Sequence, residues 1–324
     1  MELFKYEKPL SLMAQAKRFG IFSVILVITS LVLIFTKGFN MGIDFAGGTV
    51  IQVQYTQKAP IDEVREELST QEAYKGASVT YFGADEEIVI KTKSSSKNVG
   101  VDIGDQVREL LKDTKGFKEV RRVDMVGAKV GSELREKGLM AMLLAIIGIL
   151  IYISFRFEWR FAVASVMALV HDVTIAMGMI VLFSVEVNLD ILAALLTILG
   201  YSLNDTIIVF DRIREGIRTI KDPDLSHIID ESVSRTLSRT TLTSLTTFFV
   251  VLTLFLFGGE IINGFSFTLL VGVVVGTYSS IFVASPILMW LKFSVSDFRT
   301  KEAEKLKREK EKEKMRAMYE QGTL

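Results

Sequence analysis

The sequence predicts a membrane protein with six transmembrane helices, all-α in its membrane part, and one inserted α+β domain, ferredoxin-like and extracytoplasmic. Three observations lead there: six long apolar stretches, an uneven placement of Lys and Arg among the loops, and a strand and helix rhythm over residues 37–137. A hydrophobic share of 49%, with a mean hydropathy of +0.37, is too apolar for an ordinary soluble chain.

The apolar residues gather in Phe19 to Thr36, Leu139 to Phe155, Phe161 to Phe183, Leu189 to Phe210, Leu242 to Phe257 and Ile262 to Leu291. Each approaches or exceeds the roughly 20 helical residues that cross a hydrocarbon core of about 30 Å. The first span lacks a small-x-small cleavage site after Thr36, where the chain reads Lys37-Gly-Phe-Asn-Met, so it is expected to stay as an anchor.

Orientation follows from the loops. Lys5, Lys8, Lys17 and Arg18 precede the first span, Arg156 and Arg160 separate the second and third, Arg212, Arg214, Arg218 and Lys221 follow the fourth, and Lys292 and Arg299 follow the sixth. The short loops around Glu186 and Gly258-Gly259-Glu260 contain neither Lys nor Arg. The basic loops alternate with these, so both termini are expected in the cytoplasm. The chain contains no cysteine, so the outward domain is expected to fold without disulfides.

Between the first two spans the pattern is strand, helix, strand, strand, helix, strand. Thr49 to Tyr55 alternates as a strand does, and Pro60 to Leu68 opens on proline and places Ile61, Val64 and Leu68 on one helical face. Val79 to Phe82 pairs with Glu87 to Lys91 across Gly83-Ala-Asp, Val101 to Leu111 is a second helix, and Phe117 to Val126 closes the set. Ser94 to Asn98 reads as a flexible loop. The βαββαβ order is that of a ferredoxin-like sandwich.

The predicted organisation is therefore 1–36 for the N-terminus and first span, 37–137 for the outer domain, 138–292 for spans two to six, and 293–324 for a charged cytoplasmic tail. Within the third part, Asp222-Pro-Asp224 turns the chain into an amphipathic helix near 225–238, with Leu225, Ile229, Val233 and Leu237 as its stripe. That helix is expected to lie along the membrane surface or pack on loops. The tail from Lys301 to Arg316 reads as a solvated helix.

Charge inside a span costs about 2.5 to 3.5 kcal/mol on insertion scales and is retained where it pairs or moves an ion. The fourth span carries Asn204, Asp205 and Thr206. The fifth begins with Arg239 and continues with Thr243, Thr246 and Thr247 on the same helical face. Asp205 and Arg239 on neighbouring spans make a pair that protonation would break, which is the minimum for a proton-driven switch. A permanent ion pair that only fixes helix packing is the alternative. His171 and Asp172 in the third span are a possible relay or a structural hydrogen bond; adjacent residues diverge on a helix, so at most one faces Asp205. After the first span, Asp44 with Gly47 and Gly48 forms an elbow that is either rigid or a hinge. The chain has two histidines, no P-loop, no Gly-x-Ser-x-Gly and no metal-ligand spacing, so neither an enzyme nor a cofactor is expected. Energy must come from an ion gradient or from a partner.

These segments together resemble the SecF family of protein-export membrane subunits, in the resistance-nodulation-division superfamily. The matching stretches are Gly42-Ile-Asp-Phe-Ala-Gly-Gly-Thr49, Phe155-Arg-Phe-Glu-Trp-Arg-Phe-Ala162, His171-Asp172, Gly200 to Glu215 with its Asn-Asp-Thr, and Ser238-Arg-Thr-Thr-Leu-Thr-Ser244. The resemblance implies that Asp205 is the carboxylate of ion conduction and Arg239 its accompanying arginine. It also implies SecD as obligate partner, the Sec translocon channel and its membrane subunits as neighbours, unfolded preprotein as client, membrane lipid as surroundings, and no nucleic acid. The expected role is auxiliary: to use the proton or sodium motive force to promote export across the inner membrane. A small-molecule or lipid exporter of the superfamily and a purely structural assembly factor are the rival classes.

Overall fold

The chain begins on the membrane side with α1 (Ala16–Lys37), which ends at Gly38 with φ of +72°. A single turn, α2 (Ile43–Ala46), then leads into a four-stranded sheet and its helices. In a computed structural model of the protein, residues 9–92 and 103–320 are described. The loop expected at Ser94 to Asn98, and the start of the helix expected from Val101, lie outside them.

The inserted domain runs β1 (Gly48–Tyr55), α3 (Ile61–Ser69), β2 (Ser78–Phe82), β3 (Ala84–Thr92), α4 (Ile103–Leu111) and β4 (Phe117–Val126). All pairings are antiparallel and the strand order is β2-β3-β1-β4. Alternation decides which face is covered: Ile51, Val53 and Tyr55 of β1 join Ile88 and Ile90 of β3 in one core with Val64 and Leu68 of α3 and Val107 and Leu111 of α4. The β2 to β3 hairpin turns at Gly83, whose φ of +77° a side chain would strain.

Among the described residues six helices are long and apolar enough to cross a membrane, as expected of a multi-pass membrane protein. After α1 these are α5 (Ala128–Arg156), α6 (Trp159–Leu182), α7 (Leu189–Thr219), α8 (Leu225–Phe257), and α9 (Gly259–Ser279), which continues through a π-helical stretch (Ser280–Ala284) into α10 (Ser285–Trp290). The π turn has a local cause. Pro286 has no N–H to donate and its ring crowds the carbonyl of Phe282, four residues earlier. A last helix, α11 (Val295–Glu320), carries the charged tail and is exposed over most of its length.

Two sequence expectations change. The amphipathic segment near 225–238 is not a separate helix on the membrane surface: it is the N-terminal part of α8, which runs unbroken to Phe257. Neither proline nor glycine interrupts Leu225 to Phe257, so helical propensity carries through the change from polar to apolar composition. Its stripe packs instead beneath the bundle, where Ile228, Ile229 and Val233 join Ile213 and Ile217 of α7 with Phe293 and Phe298. Asp230 accepts a hydrogen bond there from the backbone N–H of Met13 at 2.8 Å. The second correction is at α5, whose polar first turns begin at Ala128, within the residues read as the outer domain.

Inside the bundle α6 is the most enclosed helix, packed by α1, α5, α7 and α9. α7 in turn packs on α8 and α9. These contacts place the polar residues of α6, α7 and α9 together, away from the outward apolar faces of α1 and α5.

Candidate functional site

Asp205 lies on the inner side of α7 and is only 2% exposed. Its Oδ2 accepts a hydrogen bond from Ser244 Oγ of α8 at 3.1 Å. Thr206 beside it is buried, with its hydroxyl unpartnered among the described residues, whereas Asn204 is exposed.

Arg239 does not meet Asp205. Among the described residues neither takes part in an ion pair within 4 Å, and Arg239 is exposed. The reason is helical phase: Thr236, Thr240 and Ser244 recur every fourth residue on the inward face of α8, while Arg239, Thr243 and Thr246 point outward and Thr247 is half-buried. The outward hydroxyls turn back on their own helix: Thr243 donates to the carbonyls of Arg239 (3.1 Å) and Thr240 (2.9 Å), and both Thr246 and Thr247 donate to the Thr243 carbonyl. The stripe expected beside Arg239 is thus the outer one, whereas the inner stripe, a four-residue spacing in the sequence, is the one that reaches Asp205 through Ser244.

A second polar cluster sits where α6, α7 and α9 meet. Asp172 is fully buried. Its Oδ1 is 2.8 Å from His171 Nδ1, and its Oδ2 accepts from Ser202 Oγ at 2.5 Å and from Ser279 Oγ at 2.7 Å. The neighbours that were expected to diverge therefore share a hydrogen bond, because the imidazole is long enough to reach around the helix. Neither bonds Asp205. Ser202, however, lies three residues before Asp205, so α7 carries contacts to both clusters within one turn.

The elbow is joined to α7 at its other end. Asp44 Oδ2 accepts from the backbone N–H of Leu189, the first residue of α7, at 3.0 Å. Asn188 caps the same helix by accepting from Ile191 N–H at 3.0 Å. Alongside, Gly42 N–H donates to the Val187 carbonyl and Val187 N–H to the Asn40 carbonyl, both at 2.8 Å, a short parallel bridge between the two segments. Lys91 at the end of β3 pairs with Glu186 at 3.0 Å. Gly47 has φ of +77°, and a Cβ there would stand 2.8 Å from the Ala128 backbone; at Gly48 it would stand 2.5 Å from the Thr92 carbonyl oxygen. Both glycines are needed for backbone to approach backbone where the domain meets the bundle.

The comparisons agree with this architecture. The family described as "Protein export membrane protein SecD/SecF, C-terminal" matches residues 106–294, and the "SecD/SecF GG Motif" family matches residues 32–59. A Helicobacter pylori (strain J99) protein named protein translocase subunit SecF is 50% identical over 324 residues, all of both chains. The chain belongs to the SecD/SecF family. A Vibrio alginolyticus protein of the same name is 43% identical over 291 residues, 90% of this chain and 92% of its own. Among solved structures, the crystal structure of SecDF from Thermus thermophilus, described as a translocon-associated membrane protein, is similar with a TM-score of 0.77 and 34% identity over 90% of this chain. The chain spans 40% of that SecDF chain. Both polar clusters fall within the SecD/SecF match, and Asp44, Gly47 and Gly48 within the GG match.

Proposed function

We propose that this chain is the SecF-type half of a SecDF complex, an auxiliary subunit of the Sec translocase that converts the proton or sodium motive force into movement of its outer domain and so promotes preprotein export. The observation that carries the reading is the tie between Asp44 and Leu189. It joins the base of the outer domain to the first turn of α7, the helix that bears Asp205, and the 40–42 bridge to Val187 and the Lys91 to Glu186 ion pair reinforce it. A shift of α7 in the membrane is thereby delivered to the elbow.

In this reading Asp205 binds the ion, and the arrangement with Ser244 on Asp205 and Arg239 turned outward is the separated state of the pair. Rotation of α8 by part of a turn, or a carboxylate from the partner's spans, brings Arg239 its counter-charge in the other state. Each ion bound then biases a two-state element, as linkage requires. Thr206 stays in the proposal as the buried neighbour of Asp205, and Asn204, Thr243, Thr246 and Thr247 stay as polar groups on the exposed and half-buried faces of α7 and α8.

The outer domain is read as ferredoxin-like on its strand order and its single helix-covered face, and as facing away from the cytoplasm on the loop charges. The location is the inner membrane with both termini cytoplasmic. SecD is the partner, and the outward face of α8, with Leu242, Leu245, Phe249 and Val250 exposed, offers it a surface. The translocon channel, unfolded preprotein and membrane lipid complete the set, and the role is coupling rather than catalysis. Export into membrane vesicles tests it: Asp205→Asn abolishes the stimulation that an imposed ion gradient gives, while ATP-driven export remains.

A further inference from the structure

The Asp172 cluster is more elaborate than helix packing needs. Well-packed apolar side chains in place of a buried charged pair are often neutral or stabilising, yet here three helices each supply the carboxylate with a polar group: His171 from its own helix, Ser202 from α7 and Ser279 from α9. Three donors on one carboxylate leave little room for an added proton unless one of them can turn away. Ser279 can. Its Oγ lies 2.7 Å from Asp172 Oδ2 and also 3.1 Å from the carbonyl oxygen of Gly276.

We infer that the His171 and Asp172 dyad is a second proton-binding site, in which Ser279 exchanges one hydrogen bond for another as the proton arrives. In the ionised form Ser279 donates to Asp172 Oδ2. When a proton binds at Oδ2, the new carboxylic O–H donates to Ser279 Oγ and the serine hydroxyl rotates to donate to Gly276 O. One proton is taken up, every donor keeps an acceptor, and no heavy atom moves. The imidazole holds the other oxygen of the same carboxylate, Oδ1, and so leaves Oδ2 to the proton. Its Nδ1 is on Asp172, while Nε2 is buried with no partner among the described residues, and His171 is only 7% exposed. His171 also lines a cavity of about 270 Å³ between α1, α6 and the π-helical end of the sixth span, with Ser23 and Thr174 as the other polar side chains.

Among the described residues, the titratable groups on α7 and α9 within a turn of Ser202 and Ser279 are Tyr201, Asp205 and Tyr278, and the Tyr278 ring stacks on His171 while its hydroxyl is bonded to Ser23 and the Phe19 carbonyl. The membrane-spanning lengths of α1 and α5 bring no charge to this level. Asp172 is tied to two other elements at once: Ser202 holds α7 one turn before Asp205, and Ser279 is the last residue before the π-helical stretch, a local irregularity of the kind that accompanies function. This extends the proposed ion coupling from one face of α7 to two.

The test is pH-difference infrared spectroscopy of the full chain, copurified with its partner subunit and reconstituted in lipid vesicles, read in the carbonyl stretch of protonated carboxylic acids. Acidification of the wild type is expected to produce a buried-carboxyl band that Asp172→Asn loses and Asp205→Asn keeps. Ser279→Ala is expected to keep that band at a shifted frequency, because the acid O–H has lost its acceptor. A spectrum from Asp172→Asn identical to wild type overturns the inference, and an unshifted band in Ser279→Ala overturns the exchange. The reading needs no translocation, so failure of Asp205-driven export and failure of this site are separately visible.

Discussion

Asp44 caps a helix from which it is 145 positions distant in sequence, holding the N–H of Leu189 at 3.0 Å. A side-chain cap of this kind contributes about 1 kcal/mol, and here it also fixes the elbow of the outer domain to the helix of Asp205. Asp44→Ala should lower the stability of the bundle by about 1 kcal/mol and weaken gradient-stimulated export, with faster amide exchange in the first turn of α7. Asp44→Asn retains an acceptor oxygen and should restore most of both. Unimpaired gradient-stimulated export in Asp44→Ala would show that the cap transmits nothing.

The bridge between Met41 and Val187 makes a related prediction. The chain has no cysteine of its own, so Met41→Cys with Val187→Cys gives a clean disulfide across it. If elbow and helix start move as one body, the oxidised protein should export as well as the reduced one. Loss of export on oxidation alone would mean that the two segments part during the cycle.

Gly47 should tolerate no side chain. Its positive φ and the Ala128 backbone both oppose a Cβ, so Gly47→Ala should destabilise by roughly 1 to 3 kcal/mol, seen as a lower unfolding midpoint or reduced accumulation in membranes. Gly76→Ala, also at positive φ but with open space around it, isolates the steric part of that cost.

Loop charge sets a prediction for topology. A single cysteine introduced at Lys75 should react with an impermeant thiol reagent added from outside the cytoplasm, and one at Arg214 only after the membrane is opened. Outside labelling at Arg214 would reverse the assigned orientation.

The spans were legible because hydropathy is a local property, and the domain's strands because alternation is. The unbroken α8 was not, since polar 225–238 and apolar 242–257 differ in composition while sharing one helical path. At the sites, the cost of burying charge singled out Asp205 and Asp172 from sequence alone. Ser244 closes a four-residue spacing with Thr236 and Thr240, but Ser202 and Ser279 are lone serines of a kind common in spans, and only the relative rotation of the helices decides which of them face a carboxylate. The same rotation turned Arg239 outward. The Leu189 end of the Asp44 bond is a backbone N–H, which no residue type encodes.

If protonation at Asp205 does work, gradient-stimulated preprotein export in inverted membrane vesicles depends on that carboxylate. Asn keeps the volume of Asp and can still accept a hydrogen bond from Ser244, so Asp205→Asn should assemble with its partner subunit in normal amounts. It should show ATP-driven export at the wild-type level and no added stimulation when a pH gradient or membrane potential is imposed. Full stimulation in Asp205→Asn vesicles would mean that protonation there drives nothing and that the buried carboxylate is a structural element.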